Sequence, residues 1–66
     1  MLITVNGKQE VLTDDMTLLE YLTYKGLKLD GVVVEYNGGI LKQEQWEDIT
    51  LNEKDALEIV SFVGGG

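Results

Sequence analysis

Short β-prone runs dominate this chain, interrupted by two stretches of helical character. At the start, the β-prone stretches Leu2 to Val5 and Gln9 to Leu12 flank Asn6-Gly7. That dipeptide accepts the positive φ angles of a tight turn, so the opening predicts a β-hairpin. Thr17 then precedes Leu18-Leu19-Glu20-Tyr21-Leu22. Thr17 with Glu20 fits a capping box, in which each side chain satisfies the other's free backbone amide, and a short helix is predicted from there. Leu18, Leu19 and Leu22 share one face, Lys25 falls in the last turn and Gly26 suits a left-handed C-terminal cap. Val32 to Tyr36 reads as a third strand closed by Asn37-Gly38-Gly39, and Ile40-Leu41 as a short fourth. Gln43 to Asp48 suits one helical turn carrying Trp46 toward the core. After the polar turn Asn52 to Asp55, Ala56 to Val63 is the last strand, with Leu57 and Ile59 on the face opposite Glu58, Val60 and Phe62.

This order predicts an α+β domain of the β-grasp (ubiquitin-like) type, a mixed four- to five-stranded sheet with one helix packed across one face. The first and last strands are expected to be parallel and central. The helix then covers Ile3, Val5, Leu57 and Ile59, while Val60 and Phe62 fall on the open face. Edge packing and partner docking remain equally good uses for those two. Residues 1–63 are expected to form the domain and 64–66 a flexible glycine tail.

Composition removes most catalytic chemistry. The 66 residues include no cysteine and no histidine, so thiol and imidazole catalysis, disulfides and the usual zinc ligands are absent. Twelve acidic residues against five lysines give a net charge of -7, which repels nucleic acid and anionic membranes. The same charge either keeps a small protein soluble or speeds encounter with a basic protein surface. Asp14-Asp15 and Glu47-Asp48 read as solvated turn carboxylates, and no metal is assigned. Tyr21 and Tyr24 read as partly buried rings with hydroxyls in water. No apolar stretch is long enough for a membrane span or a signal peptide, and the cytoplasm is the expected location.

What remains is the ending, Gly64-Gly65-Gly66. Glycine lacks Cβ, so such a tail can enter a slot too narrow for other residues and offers an unhindered α-carboxylate at Gly66. An isolated glycine triplet is more often a passive end. Here the whole chain resembles the ubiquitin-like sulfur carriers of thiamine thiazole biosynthesis, the ThiS family. The resemblance rests on Ile3-Thr4-Val5-Asn6-Gly7, Thr17 to Leu22, Val32-Val33-Val34 before Asn37-Gly38, Trp46 after Ile40-Leu41, Asp55 to Val60 and Phe62-Val63-Gly64-Gly65-Gly66. Lys42-Gln43 stands where members often carry Pro-Arg, and Lys54-Asp55 where they often carry Gly-Asp.

The resemblance implies a protein co-substrate, not an enzyme. Gly66 would be adenylated by an E1-like (ThiF-like) enzyme using ATP, converted to a thiocarboxylate with sulfur from a donating enzyme, and would pass that sulfur to thiazole synthase (ThiG-like). Gly64 and Gly65 would be the threaded tail, and Val60 and Phe62 possible partner contacts. No cofactor would be bound by the carrier itself. The alternatives are a carrier for another pathway, similar to the small subunit of molybdopterin synthase, a modifier joined to lysines, or a non-reactive interaction module.

Overall fold

The computed structural model describes residues 1–62. Strands β1 (Leu2–Val5) and β2 (Lys8–Val11) form the expected hairpin. Asn6 (φ 51°) and Gly7 (φ 81°) are both left-handed, as a type I′ turn requires. Val5 therefore faces Lys8, and β2 begins one residue before Gln9. Helix α1 spans Leu18–Tyr24 and β3 spans Val32–Tyr36. A second Asn-Gly turn sets Tyr36 against Gly39, so β4 is Gly39–Leu41 and starts one residue earlier than the sequence suggests. A 3-10 helix, Gln43–Asp48, carries Trp46 inward, and β5 runs over Ala56–Ser61.

The sheet order is β2-β1-β5-β3-β4, with β1 and β5 parallel and the other pairs antiparallel. The predicted mixed sheet has five strands and one α-helix across one face. Ile3, Val34 and Leu57 from the sheet meet Leu18, Tyr21 and Leu22 from the helix, and Trp46 and Leu51 complete the buried cluster. Ile59 packs at its margin. The strand expected to reach Val63 ends at Ser61. Its partner β3 begins at Val32, and Gly31, at φ 80°, turns the chain away there. Val63 and the glycines of the predicted tail lie outside the described residues.

Both ends of α1 follow from local chemistry. Glu20 N–H donates to Thr17 Oγ1 (3.1 Å) and Thr17 N–H to Glu20 Oε1 (2.8 Å), completing the capping box. Lys25 is the C-terminal cap residue and not part of the last turn. Gly26 (φ 76°) donates to Thr23 O and Leu27 to Leu22 O, the paired bonds of a Schellman ending. Because the helix has only seven residues, propensity alone cannot hold it. It is pinned by Leu18 N–H to Ile49 O (2.7 Å) and Leu51 N–H to Met16 O (2.9 Å), which tie its entry to the segment before β5.

Tyr21 corrects the sequence reading. Its side chain is fully buried, and its hydroxyl donates to Glu10 Oε1 at 2.7 Å, whereas Tyr24 is exposed. Period alone placed the ring on the helix, but only the hairpin's approach brought Glu10 to it. Lys25 Nζ lies 3.4 Å from the same carboxylate, a part-exposed pair of small energetic worth.

Asp55 is buried beside the root of β5 and accepts three hydrogen bonds, from Asn52 N–H (2.7 Å), Tyr36 hydroxyl (2.9 Å) and Asn37 Nδ2 (3.1 Å). The preceding Lys54 sits at φ 72°, where a Cβ costs about 1–2 kcal/mol. A glycine there would carry no such cost.

Burial, the bond to Glu10 and its charge hold the Tyr21 hydroxyl well above the ordinary value of 10.0. Tyr36 is raised too, by burial first and then by Asp55, with Asn52 opposing. A tyrosine whose folded-state pKa exceeds its unfolded value contributes stability that is whole below the unfolded pKa. That stability declines as pH climbs toward the folded one. Urea midpoints are therefore expected to fall from about pH 10 upward, and to fall less steeply in Tyr21→Phe than in wild type.

Candidate functional site

Strand β5 precedes the glycines in the sequence, and two side chains hold it in place. The two turn asparagines that give the hairpins their shape also grip this strand. Beyond the short β1–β5 ladder, Asn6 Oδ1 accepts from Ile59 N–H (2.7 Å) and Asn6 Nδ2 donates to Ile59 O (3.2 Å). At the other end Asn37 Oδ1 accepts from Ala56 N–H (2.8 Å) while its Nδ2 reaches Asp55. Sequence reading assigned both residues to turns and missed this second use. Nothing in the local pattern encodes it, because the partners are 53 and 19 residues away.

On the sheet face away from α1, Val60 is 48% exposed and Phe62 70% exposed, as the period-two reading expected. Phe62 lies one residue past β5, where its N–H donates to Gly31 O (2.7 Å). Opposite it is a glycine, so no cross-strand side chain covers its ring. The structure adds neighbours that the sequence reading did not single out. Val33, directly across from Val60, is 38% exposed, and Ile40 on β4 is 72% exposed. Between them Glu35 faces Glu58 across β3 and β5 and also faces Ile40 across β3 and β4. Alternation in Val33-Val34-Glu35 carried the signal for this face, but the register that joins the two strands did not.

Concavities are also present among the described residues. One, of about 480 Å³, lies between α1 and the 3-10 helix and is lined by Leu19, Gln43, Glu44 and Glu47. Another, of about 220 Å³, sits by the end of β5 and is lined by Val5, Asn6, Lys25, Leu27, Ile59 and Ser61. Neither pairs a nucleophile with a base. No helix among the described residues is long and apolar enough to cross a membrane. Gly64, Gly65 and Gly66, the predicted tail and carrier position, lie outside the described residues.

The chain matches the family model described as the ThiS family over residues 2–66. It is 35% identical over 66 residues to the sulfur carrier protein ThiS of Bacillus subtilis, covering 98% of this chain and 100% of that one. It is 33% identical over 66 residues to a thiazole synthase of Paramagnetospirillum magneticum, covering 100% of this chain and 20% of that protein. Among solved structures, the thiamine biosynthesis protein (ThiS) of Geobacter metallireducens superposes with a TM-score of 0.85 at 33% identity, over 100% of both chains.

Proposed function

The chain belongs to the ThiS family, and on that premise we propose that it is a sulfur carrier of thiamine biosynthesis whose reactive group is the α-carboxylate of Gly66. The observation that carries this reading is that the family match continues past the last strand and through Gly66. As a carrier the chain is a co-substrate and not itself a catalyst.

The chemistry follows from the terminal group. An α-carboxylate with a pKa of about 3.5 is ionised at neutral pH, and its carbon resists a sulfur nucleophile. Attack of a Gly66 carboxylate oxygen on the α-phosphorus of ATP forms an acyl–phosphate bond and releases pyrophosphate. Attack of a sulfide sulfur on the acyl carbon then forms a C–S bond, breaks the acyl C–O bond, expels AMP with that oxygen and leaves a terminal thiocarboxylate. ATP belongs to the partner adenylating enzyme, which also supplies positioning and charge stabilisation. A sulfur-donating enzyme provides the sulfur, and thiazole synthase receives it. That receiver is supported by the alignment of the whole chain with 20% of a thiazole synthase, since a carrier joined to its acceptor works at high effective concentration.

The globular body provides docking. Ordering Gly64, Gly65 and Gly66 in an enzyme channel costs roughly 3–6 kcal/mol in backbone entropy. Val60 and Phe62 on the open sheet face offer apolar contact that offsets this. Extended, the three glycines reach about 10 Å, enough to enter a nucleotide site while the body stays outside.

The test is intact-mass measurement after incubation with ATP, the adenylating enzyme and sulfide. One oxygen-for-sulfur exchange, localised by fragmentation to Gly66, is the expected result. An unchanged mass with an enzyme proven active on another carrier would sink the proposal and favour a non-reactive interaction module. Rescue of a thiamine-requiring strain, and not of one lacking molybdenum cofactor, is the expected pathway outcome.

A further inference from the structure

We propose that Glu35 and Glu58 form the charge-reading centre of the docking face, placed to receive one basic side chain of the adenylating enzyme within a ring of Val33, Ile40, Val60 and Phe62. This rests on the carrier reading and names the chemistry of its partner surface. The two glutamates are directly opposed in the β3–β5 ladder, and both lie on the face away from the helix, since their strand neighbours Val34 and Leu57 are in the core. Directly opposed side chains on a sheet stand about 5 Å apart at Cβ, and like charges there destabilise the pairing. Stability alone is better served by threonines or by opposite charges.

No ion pair within the described residues engages either glutamate. The one ion pair among those residues is Lys25 with Glu10, elsewhere on the molecule. The only basic residue in the five strands is Lys8, which pairs with buried Val5 and so faces the helix side, and Lys42, directly after β4, makes no ion pair among the described residues. The carboxylates also have exposed apolar side chains as neighbours, with Ile40 beside Glu35 and Val60 two residues from Glu58. When a partner covers that apolar ring it removes water, and a cation placed between the glutamates then interacts far more strongly than at a wet surface. Arginine fits best, because its planar fork of donors bonds to two carboxylates at once. A second copy of this chain is a poor occupant, since face-to-face pairing would bring four carboxylates together. The occupant is a protein surface with one basic residue in an apolar setting.

The measurement compares thermal unfolding and carrier-dependent ATP–pyrophosphate exchange for the full chain and for the double variant Glu35→Gln/Glu58→Gln. The double variant is expected to melt at a higher temperature. In the exchange assay its KM as carrier should rise at least tenfold with kcat little changed, and the salt dependence of kcat/KM should flatten. The control Glu44→Gln/Glu47→Gln removes the same charge from the 3-10 helix and should leave KM within twofold of wild type. A Glu35→Gln/Glu58→Gln carrier with wild-type KM overturns the inference, and so does an equal KM increase in the control, which would reduce the effect to net charge. Failure of the carrier reading looks different: wild type itself would give no exchange, and both readings would fall together.

Discussion

Deletion of Gly66 is expected to abolish adenylation while leaving thermal unfolding almost unchanged. Removing the residue draws the terminal carboxylate back by about 3.5 Å along an extended chain. A misplacement of only 1 Å already costs about 10²-fold in a positioned reaction, so a shortened tail falls below detection. The core cluster and the sheet ladders of the described residues keep all their members, so the loss of stability should stay within about 0.5 kcal/mol. Pyrophosphate exchange and differential scanning calorimetry on the same preparation check both halves. Retained exchange would remove Gly66 from the chemistry, and a large drop in unfolding temperature would make the terminus structural.

The largest stability effect of a single polar substitution is expected at Asp55. Its carboxylate accepts from Asn52 N–H, Tyr36 hydroxyl and Asn37 Nδ2, joining the turn before β5 to the β3–β4 hairpin. Asp55→Ala strands those three donors in a part-buried site, at about 1–3 kcal/mol for each donor that fails to find water. A net loss of about 2–4 kcal/mol is expected, against a total of about 3–10 kcal/mol for a 66-residue domain. Asp55→Asn keeps one acceptor oxygen and should fall between the two. Urea titration with an unchanged m-value is the measurement, and a loss under 0.5 kcal/mol would show the network to be dispensable. Because Asn37 also bonds Ala56 N–H, the same substitution should loosen the start of β5.

Local chemistry was legible wherever its partners are near in sequence. Thr17 and Glu20 are three residues apart, and their capping box is present as read. Asn6-Gly7 closes its hairpin as read, and Val60 and Phe62 are on the open face as period two requires. Boundaries slipped by a residue or two where a strand's length is set by its neighbour. β4 begins at Gly39 because Tyr36 lies opposite, and β5 stops at Ser61 because β3 begins at Val32.

The sequence by itself determined the order of elements, the acidic charge without thiol or imidazole chemistry, and the glycine ending that carries the functional proposal, because backbone preferences and side-chain chemistry are properties of single residues and short spacings. Only the tertiary structure decided that Asn6 clasps Ile59, that Tyr21 is buried against Glu10, and that Glu35 meets Glu58 with Ile40 beside them. Each of those depends on which strands lie side by side and in what register. That choice is made when burying one apolar face forces distant segments together, and no short window of the chain contains it.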